Sequence, residues 1–142
     1  NLTGARLADL SGVHAITDVT GFGLAGHLLE VCRGSHLSAT VEFDKLPLIA
    51  EAVTHVRAGI ATGASARNWE SYGKDVDLPA AAPEWYNKMI TDPQTSGGLL
   101  VACAPACVDA VLAAFRADGF DRAAVIGRFS APDGVSPRLT ID

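Results

Sequence analysis

A short glycine-rich stretch, ITDVTGFGLAGHLLE at residues 16–30, constrains the fold of this 142-residue chain more than any other feature. It contains a G-x-G-x-x-G pattern, and the residues before the pattern predict a strand at 14–18. Thr20 is the predicted N-cap of a following helix, and Gly34 is predicted to lie just past its end. The pattern therefore predicts either a dinucleotide-binding fingerprint or a glycine turn with another purpose. The helix is predicted to bury one apolar face, formed by Phe22, Ala25, Leu28, Leu29 and Cys32.

The residues after the glycine turn support the dinucleotide interpretation, whereas the residues before it argue against that interpretation. Glu42 and Asp44 follow about 20 residues on, where an acid that binds a ribose is expected. The strand that feeds such a fingerprint is apolar up to the first glycine, whereas this one ends in Thr-Asp-Val-Thr at 17–20. Asp18 would also bring a carboxylate close to the pyrophosphate, and the two groups repel each other unless a cation lies between them.

Asp18 is consequently open to a second interpretation, as a metal ligand. Mg²⁺ is commonly held by one or two carboxylates together with phosphate oxygens and water. Such an ion neutralises the charge that develops on a transferring phosphoryl group. A third interpretation is that Asp18 is a turn or capping acid that accepts backbone N–H bonds at the helix start. Spacing alone leaves the dinucleotide, metal and capping interpretations open.

The order of elements in the rest of the chain is typical of an α+β or a mixed α/β fold, and we predict α+β, with a mixed sheet flanked by helices. Residues 37–44 alternate between apolar and polar as in a half-buried strand, and Pro47 opens a predicted helix that ends near Arg57. The apolar run LLVAC at 99–103 is typical of a central strand buried on both faces. The remaining predicted elements are a short helix at 83–90, a helix that begins at Pro105 and ends at Asp118-Gly119, and a closing hairpin of strands at 123–129 and 135–141, with Pro137 better suited to an edge strand.

Residues 59–83 show no sustained periodicity and predict a long loop. A loop of this length in a compact domain is usually functional or locally folded. Arg67 and Asn68 are the candidates within it, since both side chains could reach a phosphate or order the loop over a cleft.

The turn-forming cluster DPQTSGG at 92–98 is the other candidate segment. Thr95, Ser96 and the backbone N–H groups of the two glycines could line an anion-binding nest. Alternatively, the glycines let the chain enter a crowded strand.

Composition and charge exclude several classes of function. The net charge is −5 and no basic stripe is visible, so nucleic acid is not an expected partner. No apolar run approaches the roughly 18 residues of a membrane helix, and no leader pattern is seen, so membrane contact is not expected. Cys32, Cys103 and Cys107 match no usual zinc or redox spacing and are predicted to be buried, reduced thiols of a cytoplasmic protein. His27 is predicted to be a hydrogen-bonded packing residue.

Three blocks, HAITDVTGFGLAGHLLE at 14–30, ARNWESYG at 66–73 and DPQTSGGLL at 92–100, together closely resemble the C-terminal domain of the selenophosphate synthetase (selenide, water dikinase) family. The resemblance covers essentially the whole chain and implies that residues 1–142 form a single C-terminal domain, without the family's N-terminal ATP-binding domain. The broader superfamily includes aminoimidazole ribonucleotide synthetase, formylglycinamidine synthetase, a hydrogenase maturation enzyme and thiamine-phosphate kinase. A relative acting on another substrate is the alternative, although the pairing of TDVTGFG with RNWESYG favours the selenium enzyme.

The resemblance also implies an activity and a site. The family makes selenophosphate, AMP and phosphate from ATP, selenide and water with Mg²⁺, as a homodimer built chiefly through its N-terminal domains. Its reactive Cys or selenocysteine and partner Lys belong to the N-terminal domain, so no catalytic residue is expected here and the chain alone is expected to be inactive. The acid of TDVTGFG is a family metal ligand, which implies that Asp18 binds Mg²⁺. The segment ATGASARN keeps only Gly63 of a Gly-Gly-Thr type of run common in the family.

Overall fold

A computed structural model describes residues 2–134 and 136–142, and within them helices and strands are interspersed along the chain. The helices are α1 (Leu2–Ala8), α2 (Gly23–Ser35), α3 (Ala50–Arg57), α4 (Gly63–Tyr72), α5 (Trp85–Ile90) and α6 (Val108–Ala117). The strands are β1 (Val13–Asp18), β2 (Ser38–Val41), β3 (Val76–Asp77), β4 (Leu99–Cys103), β5 (Gly127–Ser130) and β6 (Leu139–Ile141). Short 3₁₀ turns occupy Phe43–Lys45, Gly73–Asp75 and Pro105–Cys107.

The strands form two separate sheets. β1 and β4 make an antiparallel pair, in which Asp18 lies opposite Leu99. The second sheet has four strands in the order β3-β6-β2-β5. Within it β5 is antiparallel to β2, whereas β6 is parallel to both β2 and β3. The helices and the mixed sheet confirm the predicted α+β fold.

Helix α2 packs its apolar face into the main hydrophobic core. The sequence predicts Phe22 on this face, but the Phe22 side chain is 58% exposed. The helix begins only at Gly23, and Phe22 precedes it as the N-cap residue. The other four predicted positions are buried and share the core with residues of the four-stranded sheet: Ala25, Leu28, Leu29 and Cys32 with Ala39, Val41, Leu139 and Ile141.

The predicted ends of α2 are wrong at both sides. Thr20 does not cap the helix, because its backbone N–H and its hydroxyl both contact Nε2 of His27, each at 3.0 Å. Gly34 is helical, and the left-handed conformation falls on His36 (φ 53°), whose N–H turns back to the carbonyls of Cys32 and Arg33. Asn and His tolerate this conformation better than most side chains, so no glycine is needed there.

The predicted long loop at 59–83 is also wrong, since it contains α4 and β3. Thr62 is the N-cap of α4, and its side chain accepts a hydrogen bond from the Ser65 N–H at 3.1 Å. The inner face of α4 carries buried Ser65 and half-buried Asn68 beside Tyr72. Because that face is partly polar, the helix lacks the apolar periodicity by which helices are recognised.

Strand β4 is not the central, doubly buried strand that its sequence predicts. Within the described residues it pairs with β1 alone, and all five of its residues are only half-buried. A continuous apolar run does not specify how many neighbours a strand has.

The predicted closing hairpin does not form either. β5 and β6 lie on opposite sides of β2, and β6 is an inner strand. Pro137 precedes β6, and Val135, where the second predicted strand began, lies outside the described residues. Parallel pairing with β2 buries Leu139 and Ile141, a gain that a hairpin with β5 would not offer.

The remaining predictions of β1, α3, α5 and α6 are confirmed, although α3 begins at Ala50 rather than at Pro47. Helix α1 was not predicted. It packs beside α6, where Thr3 and Arg6 both donate hydrogen bonds to the Asp118 carboxylate. Nowhere in the two described ranges does a helix have the length and apolar character needed to cross a bilayer.

Candidate functional site

The glycine turn (residues 18–23) and the loop 92–98 lie side by side at one end of the β1–β4 pair. The chain leaves β1 through the glycine turn and enters β4 from the loop. The Val19 N–H donates to the Gly98 carbonyl at 2.9 Å, and the Gln94 N–H donates to the Thr20 carbonyl at 3.1 Å. Antiparallel pairing therefore joins two of the three blocks that the sequence singled out.

Two glycines allow these segments to approach each other. A Cβ atom on Gly97 would collide with the carbonyl oxygen of Val19. Gly23 has a φ of +67°, and a Cβ atom there would lie 2.6 Å from the backbone carbon of Thr91. Both positions therefore need glycine for packing inside the chain, whatever else binds nearby.

This packing excludes the dinucleotide interpretation. In a dinucleotide fingerprint the second glycine lets the pyrophosphate approach the backbone. Here that glycine is Gly23, and the space in front of it is filled by the backbone of Ile90 and Thr91. Moreover, β1 lies in an antiparallel pair and not in a parallel sheet. At the third glycine, Gly26, a Cβ atom would lie only 3.0 Å from the Tyr72 ring.

Helix α4 brings the third block to the same place. The Asn68 carboxamide donates to the carbonyl of Gly21 and to that of Thr91, both at 2.9 Å. One turn further on, the Tyr72 hydroxyl donates to the carbonyl of Phe22. Burial raises the pKa of Tyr72 to about 12, so the hydroxyl keeps its proton and remains a donor at neutral pH.

Asp92 is part of this region and was not singled out from the sequence. Its Oδ1 accepts hydrogen bonds from the Ser65 hydroxyl at 3.0 Å and from the Thr62 hydroxyl at 3.3 Å. An acid at a helix N-terminus is favourable, and this one fixes the start of α4 to the loop 92–98. The sequence signal for this contact is the spacing of Thr62 and Ser65, which act as the N-cap and a first-turn residue of α4.

His27 is held by the glycine turn, in agreement with its prediction as a hydrogen-bonded packing residue. Its Nε2 accepts the backbone N–H of Thr20 at 3.0 Å and also contacts the Thr20 hydroxyl at 3.0 Å. The Phe22 ring lies beside it, with the ring centres 5.7 Å apart.

Asp18 ends β1 as an exposed residue, directly before buried Val19. Among the residues the structure describes, no three His, Cys, Asp or Glu side chains come together in a group that could hold a metal ion. Mg²⁺ is often bound through only one or two carboxylates and completed by substrate phosphates and water. A lone exposed carboxylate therefore fits one position of a Mg²⁺ shell, and other ligands have to complete it.

The other candidate residues, on the loop 92–98 and on α4, differ in whether their side chains are exposed or bonded to the protein. Thr95 and Ser96 are exposed on the loop 92–98, which the bonds of Val19 and Thr20 hold next to the end of β1. Arg67 is exposed on α4, one position before Asn68. The Asn68 carboxamide donates to two backbone carbonyls of the protein itself, those of Gly21 and Thr91.

Two of the three cysteines have a raised pKa. Cys32 is buried in the core, and burial raises its pKa to about 11. Burial, and to a lesser extent neighbouring Cys107, raise the pKa of Cys103. All three thiols are free, but only Cys32 is buried as predicted, because Cys103 and Cys107 are half-buried. A raised pKa disfavours the thiolate form of Cys32 and Cys103.

A wide apolar cleft of about 2080 Å³ is lined by both sheets and reaches the loop 92–98. Side chains such as Leu28, Val101 and Phe129 line it. An apolar lining does not suit a triphosphate, because the phosphate charges would lose hydration without gaining partners. The polar rim formed by the glycine turn and the loop 92–98 is therefore the better candidate for phosphate chemistry.

The chain matches the family described as AIR synthase related protein, C-terminal domain, over residues 3–140. It is 57% identical over 134 residues to a protein of Paraburkholderia xenovorans named "Selenide, water dikinase". The aligned region is 94% of this chain and 38% of the relative. A protein of the same name from Burkholderia orbicola is 62% identical over 127 residues, which is 89% of this chain and 36% of the relative. One from Pseudomonas straminea is 52% identical over 131 residues, or 92% of this chain and 37% of the relative.

These relatives confirm the resemblance drawn from the three blocks. The chain spans between a third and two fifths of the length of the curated relatives it matches.

Proposed function

The chain belongs to the family described as AIR synthase related protein, C-terminal domain, and on that premise we propose that it is the C-terminal domain of a selenide, water dikinase. The full protein would convert ATP, selenide and water into selenophosphate, AMP and phosphate. The observation that carries the proposal is the convergence of three distant sequence blocks around one exposed carboxylate, Asp18.

In this proposal Asp18 supplies one oxygen ligand to Mg²⁺. When bound, the ion neutralises charge on the phosphoryl group that is transferred. Asp18 suits this role because it is exposed at a strand end and is followed by a turn that several hydrogen bonds hold in place. The nucleophile and its partner Lys would come from the N-terminal domain, so this chain contributes no catalytic residue.

The loop 92–98 and α4 would form the wall next to the metal. The hydroxyl groups of Thr95 and Ser96 can donate to phosphate oxygens, and the Arg67 guanidinium adds a positive charge at the rim. Asn68 would act by ordering these segments and not by contacting phosphate.

The length of the relatives supports a proposal about the domain organisation. We propose that residues 1–142 are one domain and that an N-terminal domain of the same protein supplies most of the ATP site. Dimerisation would take place through that N-terminal domain. A cytoplasmic location is part of the proposal and is supported by the free thiols, which persist in reducing compartments.

The alternative is a superfamily relative that uses ATP on a different substrate. The printed names of the similar proteins favour the selenium enzyme, because those quoted above are all called selenide, water dikinase. The products distinguish the two cases, since a simple kinase or a synthetase of the aminoimidazole ribonucleotide type leaves ADP and not AMP.

The test is phosphorus NMR of the full-length protein incubated with Mg²⁺ and ATP, with and without selenide under anaerobic conditions. We expect AMP, phosphate and a selenium-coupled phosphorus signal in equal amounts, and only when selenide is present. Residues 1–142 alone serve as the control and should give no products. Formation of ADP, or turnover that does not depend on selenide, would contradict the proposal.

A further inference from the structure

One face of α4 is used to bind backbone carbonyls of other segments. Ser65, Asn68 and Tyr72 are three and four residues apart, so they lie along the same side of the helix. Asn68 and Tyr72 donate to Gly21 and Phe22, two consecutive carbonyls of the glycine turn. The face thus holds the segment that begins three residues after Asp18.

The orientation of the Asn68 carboxamide is determined by its partners. Both groups facing it are carbonyl oxygens, at 2.9 Å each, and carbonyls accept hydrogen bonds only. The NH₂ end must therefore point at them, and both of its hydrogens are used. One side chain thereby joins the glycine turn, through Gly21, to the segment that enters the loop 92–98, through Thr91.

Helix α4 is itself fixed to the same segment, so Asn68 extends from a rigid support. Asp92 accepts the hydroxyls of Ser65 and Thr62 at the start of the helix. Buried Thr91 donates its hydroxyl to the Asn87 carbonyl at 2.7 Å and approaches the Ser65 carbonyl at 3.2 Å. Moving Asn68 would therefore require breaking several partly buried hydrogen bonds at once.

The two carbonyl contacts also orient the turn. In a trans peptide the C=O and the following N–H point in opposite directions. When the Gly21 carbonyl points at α4, the Phe22 N–H points away from α4. The Phe22 carbonyl is held by the Tyr72 hydroxyl, while the Phe22 side chain is largely exposed.

From these contacts we propose that Asn68 is a positioning residue, which fixes the glycine turn and thereby the direction in which Asp18 presents its carboxylate to a divalent cation. The inference rests on the proposed function for the identity of the bound group, a metal complex of a nucleotide. Asn68 touches neither metal nor substrate and acts through the Gly21 carbonyl.

A purely structural role for Asn68 makes a different prediction. Loss of folding lowers the number of intact sites per molecule, but each remaining site keeps its affinity. Loss of positioning lowers the affinity of every site in a protein that stays folded. The dissociation constant and the number of sites, measured separately, therefore distinguish the two roles.

The experiment compares full-length wild type with Asn68→Ala, Asn68→Asp and Ser71→Ala. Asn68→Asp keeps the shape but removes both N–H donors and turns carboxylate oxygens towards two carbonyls. Ser71→Ala is the matched control, because Ser71 is exposed on the same helix and its side chain has no hydrogen bond with the residues that the structure describes. Electron paramagnetic resonance measures the Mn²⁺ dissociation constant and site number in the presence of ATP, and hydrogen exchange follows the amides of residues 19–24.

We expect the Mn²⁺ dissociation constant to rise about tenfold or more in both Asn68 variants, the range found when residues that orient metal ligands are changed. The site number should stay the same, and the amides of residues 19–24 should exchange faster. Ser71→Ala should match wild type. An unchanged dissociation constant, or a loss of sites at constant affinity, would overturn the proposal whatever the exchange shows. Selenide-dependent turnover of the wild type is scored separately, so a wrong substrate would reject the proposed function without deciding the role of Asn68.

Discussion

Close packing, and not conformational freedom alone, explains why particular glycines stand in the site. Gly97 lies so near the Val19 carbonyl that no side chain fits, and neighbouring hydrogen bonds hold both backbones in place. Gly34 is the opposite case, since it lies in α2 with open space where a Cβ atom would be. The same residue type is thus required at one position and unfavourable at the other.

Alanine substitutions at these two glycines should therefore have opposite effects. Gly97→Ala should lower the free energy of unfolding by about 1–3 kcal/mol, the usual cost of overpacking a rigid site. Gly34→Ala should raise it by about 0.5–1 kcal/mol, because alanine is the better helix former. Denaturant unfolding of the chain measures both. A Gly97→Ala variant as stable as wild type would show that the turn and the loop 92–98 do not pack as described.

An ion pair between two side chains stabilises the edge of the four-stranded sheet, where β3 lies. β3 is only two residues long, and it is held to β6 by a bidentate ion pair between Asp77 and Arg138. The two bonds measure 2.7 and 2.5 Å, and both side chains are about half exposed. The hydrogen bonds from Arg138 lower the pKa of the Asp77 carboxyl.

This ion pair should make the stability of the sheet edge depend on pH in one direction. Because the pKa of Asp77 is lower in the folded state, its contribution is present above the ordinary carboxyl pKa and is lost as the pH falls through the lowered value. Asp77→Asn should cost at most about 1 kcal/mol at pH 7, since half-exposed pairs are screened by water. Unfolding curves of wild type and variant should converge in strong acid or at about 1 M salt. A difference that persists under both conditions would contradict the assignment, and Asp44→Asn, an exposed acid, serves as the control.

The sequence predicts the helices and strands that bury one clearly apolar face. It does not predict a helix whose inner face is polar, nor which strands lie next to each other when they are distant in the chain. The strand before Asp18, the buried stripe of α2 and the helix at 85–90 were predicted because each follows a simple period or boundary signal. Helix α4 was missed because its inner face carries Ser65 and Asn68. The order of strands was missed because alternation states which face is buried but not which strand is adjacent. The three blocks of the site were found, whereas their connection through Asn68 and Asp92 depends on contacts that only the fold reveals.

At the scale of the whole molecule, the proposed function makes this chain one wall of a larger site. In the described parts of the protein, Asp18 does not form a group of three potential metal-binding side chains. The relatives are more than twice as long as this chain. Hydrogen bonds among the glycine turn, α4 and the loop 92–98 give that wall a fixed shape. A second domain that carries the reactive groups could therefore complete the site without this one having to rearrange.

The most direct test of this account is the Mg²⁺ dependence of selenide-driven AMP formation by full-length Asp18→Asn. Asp121→Asn is the control, because Asp121 is an exposed acid that forms no ion pair with the described residues. Loss of a metal ligand should lower the rate about a hundredfold or more at any Mg²⁺ concentration that saturates wild type, since such ligands contribute several kcal/mol. The control should keep the wild-type rate, and both variants should unfold at the wild-type temperature. A folded Asp18→Asn protein with the wild-type rate and Mg²⁺ dependence would contradict the account and leave Asp18 as an acid of the turn alone.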